Sequence, residues 1–200
     1  MDILSLVLSI IGAAAWVPII INSIIEVFRK IHYVYLDRKI ISDVVETKNV
    51  NGTVIQKKGM NIILGLNLFV YGKPYFPHQI SCEIVLKDGP VHTANNYEGT
   101  IRYTDTIKQP NNISMPIRYV LFFPFNVNAN VNRAVHSNID NVRILPFFIE
   151  NLNLQSDDNI KYIKIKFKGR FFTKSIILNS DDCVNIPIID SYRQIDNGVI

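Results

Sequence analysis

The first 25 residues constrain the chain more than anything after them. From Ile3 to Ile25 the only clearly polar side chains are Ser5, Ser9, Asn22 and Ser23. As a helix at about 1.5 Å per residue the run extends roughly 35 Å, enough to cross a bilayer. A cleaved signal peptide has a basic start and a shorter apolar stretch, whereas only Asp2 precedes this run. The run therefore predicts a retained transmembrane helix. Arg29, Lys30, Arg38 and Lys39 follow it, and the positive-inside rule then predicts a single-pass protein of the inner (cell) membrane, with its N-terminus outside and the remainder cytoplasmic.

Within this helix Ser5, Ser9 and Ala13 recur every four residues with Gly12 beside them. That small-residue ridge lets helices approach closely and suggests self-association. Asn22 and Glu26 are also four apart, so an oligomer would arrange them as polar rings at the inner end. The plainer readings are an anchor with no further role, or a buried core helix, with Glu26 paired to Arg29 or Lys30. Pro18 predicts a kink, and Trp16 near mid-span favours packing against a neighbour. Val27, Ile31, Val34 and Tyr35 keep helical spacing, which predicts an amphipathic stalk continuing to about Asp37.

After about Lys39 the apolar period changes to two. Ile62, Leu64, Leu66, Leu68 and Val70 alternate along one strand, and Asn51-Gly52 is a two-residue hairpin signal. Further strands are predicted over 79–87, 97–104, 117–125 and 142–150, with a last hairpin from Ile160 to Leu178 around Gly169. Seven or eight strands without intervening helices predict an antiparallel immunoglobulin-like β-sandwich. The expected fold class is thus membrane α plus all-β. Its expected divisions are a transmembrane helix and stalk at 1–38, a cytoplasmic β domain at 39–186, and a tail at 187–200 that docks or swaps onto a neighbour.

Catalytic signatures are missing: the sequence has no P-loop, no dinucleotide-binding glycine motif, no nucleophile elbow and no H-E-x-x-H. His32, His78, His92 and His136 stand singly, and with Cys82 and Cys183 they do not reach metal-ligand spacing. The acidic pairs Asp157-Asp158 and Asp181-Asp182 read as turn chemistry. No catalytic residue, metal site or cofactor is expected. A net charge of +4 forces no nucleic-acid reading on its own, but Lys161, Lys164, Lys166, Lys168, Arg170 and Lys174 fall within fourteen residues that contain no acid. On a strand Lys164, Lys166 and Lys168 share the face opposite Ile163, Ile165 and Phe167. They read either as guards of an edge or outer strand, or, with Arg170 and Lys174, as an anion-binding surface for a nucleotide, a short nucleic acid or lipid headgroups. The alternating Asn126, Asn128, Asn130 and Asn132 read as a polar loop or as amides presented to bases.

One N-terminal span followed by a compact β domain with a basic strand resembles, in layout, the small membrane effectors of bacterial anti-phage nucleotide-signalling systems, Hailong-type channel effectors among them. That resemblance implies a tetrameric pore-forming effector of antiviral defence, regulated by nucleotide or short single-stranded DNA binding to its β domain. The helix-packing and pore residues would be Ser5, Ser9, Gly12, Ala13, Asn22 and Glu26. The alternative from another class is a membrane-tethered binding or adaptor module, and a membrane-bound enzyme is a third.

Overall fold

The structure, a computed structural model, describes residues 3–50, 53–87, 89–96, 100–108, 114–122, 135, 142–152, 154, 159–170 and 172–195. In chain order its elements are helix α1 (Ile3–Phe28) and strands β1 (Ile31–Val50), β2 (Thr53–Val70), β3 (Gln79–Leu86), β4 (Val91–Asn95), β5 (Thr100–Lys108), β6 (Ser114–Phe122), β7 (Val142–Glu150), β8 (Ile160–Lys168), β9 (Thr173–Leu178) and β10 (Arg193–Ile195). Two 3-10 turns, Ser180–Asp182 and Ile189–Tyr192, precede β10. The chain divides into two units, Met1–Lys30 and Ile31–Ile200.

In the first unit, Pro18 lies inside α1, and Ser23 returns its hydroxyl to the Ile19 carbonyl at 2.8 Å. The expected transmembrane helix is corrected here. Among the described residues no helix is long and apolar enough to cross a membrane. The single-pass inner-membrane location, the orientation derived from it, and the ion-channel and pore-forming readings lose their basis with it. This finding concerns helices and says nothing of strands crossing as a barrel.

The stalk is corrected as well. Residues 31–39 are the start of β1, not helix, because Ile31, Tyr33 and Tyr35 also alternate: Ile31 and Tyr35 are buried, and Tyr33 packs against the same cluster. The β unit consequently starts at Ile31, and the tail belongs to it. The amide of Val184 donates to the Tyr35 carbonyl (2.9 Å) and that of Ile186 to the Leu36 carbonyl (2.8 Å), so the segment after β9 lines the open edge of β1.

Three sheets are formed among the described residues, in the orders β1-β2-β7, β4-β3-β8-β9 and β10-β6-β5. The immunoglobulin-like expectation had two. β2 explains the third. Its even-numbered Met60, Ile62, Leu64, Leu66, Leu68 and Val70 are at most 1% exposed and pack against Ile80, Cys82, Ile84, Ile163, Ile165, Phe167, Ile176 and Leu178 of the four-stranded sheet. Its odd-numbered Ile63, on the opposite face, packs with Ile41 of β1, Ile101 of β5, Leu121 of β6 and Ile189. That odd-numbered face also carries Asn61, Gly65 and Asn67, with Asn61 only 2% exposed, and around Ile63 the β5–β6 hairpin with the C-terminal segment supplies the cover.

β1 carries a register shift between Tyr35 and Asp37. The expected 79–87, 142–150 and 160–178 elements are present as β3, β7 and the β8–β9 hairpin; β5 and β6 overlap the 97–104 and 117–125 expectations, β4 was not anticipated, and Asn51-Gly52 lies outside the described residues while Val50 pairs with Thr53 on either side of it.

Leu66→Ala removes side-chain volume from the larger core and is expected to cost about 2–5 kcal/mol of stability, seen as a lower midpoint in chemical denaturation. Gly59→Ala adds only a methyl group, but its Cβ would lie 2.1 Å from the Ile149 carbonyl oxygen. A loss of ~1–3 kcal/mol is expected there, from backbone displacement in the β2–β7 pairing.

Candidate anion-binding surface

The four-stranded sheet buries one face and turns the other outward. Along β8 the inward Ile163, Ile165 and Phe167 are buried, while Lys164, Lys166 and Lys168 take the alternate positions. Register fixes their neighbours. Lys168, Lys166 and Lys164 lie opposite Gln79, Ser81 and Glu83 on β3, and opposite Thr173, Ser175 and Ile177 on β9. Asn95 and Thr93 of β4 continue the rows beyond Ser81 and Glu83. The result is a row of three ammonium groups, repeating every ~6.6–6.8 Å, set among short hydroxyl and amide side chains.

Glu83 is the acid facing this row, and it forms an ion pair with Lys166. Three cations and one anion leave a net charge of +2 on the row. Lys164 and Lys168 have no ion-pair partner among the described residues. Gln79 is held by its amide donating to Asn95 Oδ1 at 2.7 Å, so the Lys168 end is lined by an ordered amide pair. Tyr162, two residues before Lys164 and half-buried, places an aromatic ring at the other end of the same face.

The remaining members of the expected cationic set are not brought into this row. Lys174 pairs in register with the inward Phe167, and its ammonium sits 5.6 Å from the centre of the Tyr75 ring. Arg170 lies in the β8–β9 connection. Lys161 joins Arg38 and Lys87, which are remote in sequence, around a separate concavity at the end of the sheet. The sequence offered only a weak signal for that grouping, since Arg38 read as a flank charge and Lys87 as a strand end.

Of the other candidates, Gly12 and Asn22 are exposed on α1, and nothing lies within 4 Å of a Cβ built on Gly12. The side chains of Ser5, Ser9, Ala13 and Glu26 fall outside the described residues, as do Asn126, Asn128, Asn130, Asn132, His136 and the Asp157-Asp158 pair. Among the described residues no group of three or more His, Cys, Asp or Glu side chains could hold a metal ion. His32 instead stacks on Phe69 with ring centres 5.3 Å apart.

Cys82 is fully buried in β3, and burial pushes its thiol up to about 12 from an ordinary 9.0. It is a neutral packing residue, not a nucleophile. A thiol reagent at pH 8 is expected to modify the half-buried Cys183 and to spare Cys82 until the fold opens. Because the unfolded chain releases the Cys82 proton first, stability should fall as pH rises from about 9 towards 12; Cys82→Ala should flatten that alkaline limb in denaturation curves taken across the range.

The chain matches no known protein family, and neither curated proteins nor solved structures provide a match.

Proposed function

We propose that the β unit is a binding module for a phosphate-rich ligand, a nucleotide or short single-stranded nucleic acid, held along the Lys164–Lys166–Lys168 row. This is the ligand-sensing half of the effector that the sequence layout resembles, without its membrane half. The observation that carries the reading is the position of β8. It is hydrogen-bonded to β3 on one side and β9 on the other, so its lysines do not guard an open edge against strand addition. Their regular spacing on an outward face suits successive phosphates of an extended chain, and the half-buried ring of Tyr162 suits base stacking at one end. Serine, threonine, asparagine and glutamine around the row supply neutral donors to phosphate oxygens without adding opposing charge.

Binding of a labelled single-stranded oligonucleotide to the full chain tests this. Lys164→Ala/Lys168→Ala is expected to weaken binding and to reduce the slope of log K against log salt by about 1.4, from ~0.7 per phosphate contact, with the melting temperature unchanged. Equal affinity and equal salt slope in the two proteins would refute the reading.

A further inference from the structure

The two flanks of the β8 lysines differ in chemistry. Towards β9, Lys168 and Lys166 have the hydroxyl side chains of Thr173 and Ser175 beside them, and Lys164 has Ile177. Towards β3 the same lysines meet Gln79, Ser81 and Glu83, with Asn95 and Thr93 of β4 beyond Ser81 and Glu83. Among the described residues of this outward face, Glu83 is the one acid. We propose that Glu83 is a base-discriminating residue, whose carboxylate accepts a hydrogen bond from the exocyclic amino group of a nucleobase while the phosphates pass on the β9 side. This role rests on the reading of the lysine row as a nucleic-acid site, and it fixes which bases that site prefers and on which side of β8 the backbone of the bound strand lies.

Position gives Glu83 this role. It stands directly opposite Lys164, and its Oε1 pairs with Lys166 one step along the row, so a strand following the lysines must pass it. Its side chain is 24% exposed, which leaves it within reach of a bound base. A carboxylate offers about four acceptor sites on two oxygens and no donor. Lys166 engages Oε1, and Oε2 keeps its capacity for a further donor. The negative charge beside the row turns phosphates away, and Ser175 and Thr173 on the other flank offer them neutral donors. Backbone and bases are thereby sorted to opposite sides of β8. The bases lie over β3 and β4, where Thr93 and the hydrogen-bonded Gln79–Asn95 amides also present partners to base edges.

The sorting selects among bases. Cytosine N4, adenine N6 and guanine N2 carry amino hydrogens that suit a carboxylate, whereas thymine and uracil show O4 at the corresponding place. Their ring N3–H lies between two carbonyl oxygens, so a carboxylate that approaches it meets an acceptor on either side. A pyrimidine lacking the amino group therefore leaves the Glu83 charge without a donor. If Glu83 served only to relieve repulsion among three ammonium groups, base identity would make no difference.

Fluorescence anisotropy of the full chain with labelled oligodeoxycytidylate and oligodeoxyuridylate of equal length, at pH 7.5, tests this. The parent is expected to bind the cytosine strand about fivefold more tightly, within what one hydrogen bond to a charged group supplies. Glu83→Gln, whose amide donates as well as accepts, should bring the ratio to within about twofold of unity. By releasing Lys166 it should also steepen the dependence of log K on log salt by about 0.7. Ser175→Ala should weaken both strands alike, by about twofold, without changing their ratio. Equal binding of the two strands by the parent, or an unchanged ratio in Glu83→Gln with unchanged melting, overturns the proposal; the lysine-row reading survives either result if Lys164→Ala/Lys168→Ala still lowers the salt slope for both strands. Failure of both strands to bind the parent refutes the lysine-row reading and this inference with it.

Discussion

Burial of β2 on both faces is the constraint on which the rest of the β unit depends. A strand whose even-numbered side chains are apolar from Met60 to Val70 requires an opposing sheet, and the β4-β3-β8-β9 sheet meets that need. Ile63 on the other face requires a second partner, which brings in β5, β6 and the residues after β9. The outward orientation of the β8 lysines follows. Once Ile163, Ile165 and Phe167 are committed to the β2 core, the period of two leaves Lys164, Lys166 and Lys168 facing out.

The C-terminal segment is held by a chain of polar contacts that run back to β1. Asp37 accepts the Ile189 amide at 2.8 Å, and Lys39 pairs with Asp190 at 2.9 Å while lying 4.9 Å from the centre of the Tyr103 ring. Burial draws the Lys39 ammonium down, but its contacts with Asp190 and Tyr103 outweigh that and hold it above its ordinary value. Arg193, 4.6 Å from the centre of the Tyr119 ring, extends the same cluster onto β6. Cation–aromatic and ion-pair contacts of this kind fix register more than they add stability. Here they set β10 against β6 and close the second core.

The strand pattern was legible where one period ran unbroken, as in β2, β3, β7 and the β8–β9 hairpin. It failed at Ile31–Lys39, where Val27, Ile31, Val34 and Tyr35 satisfy a helical period while Ile31, Tyr33 and Tyr35 satisfy a strand. Local pattern cannot decide between them, and pairing with Leu66, Leu68 and Val70 across β2 does. The lysine row could be read from β8 alone, because its residues are neighbours in sequence. The Arg38–Lys87–Lys161 grouping could not, because only the meeting of β1 with the ends of β3 and β8 brings those residues to one place.

The register shift between Tyr35 and Asp37 sets the phase of β1 as far as Ile41, where a second shift follows before Val44. Before the first shift, odd-numbered Ile31, Tyr33 and Tyr35 face the larger core. Beyond it, even-numbered Ile40 takes that face, and odd-numbered Ile41 enters the smaller core. The extra residue is Leu36, which has no partner on β2. It therefore works as a frameshift written in backbone geometry: the consecutive triplet Asp37-Arg38-Lys39 is divided between two sides of one sheet, one cation towards the concavity at the end of the four-stranded sheet and a carboxylate with a second cation towards the C-terminal segment. Removing a single residue at this point would exchange those roles without altering any of the three side chains.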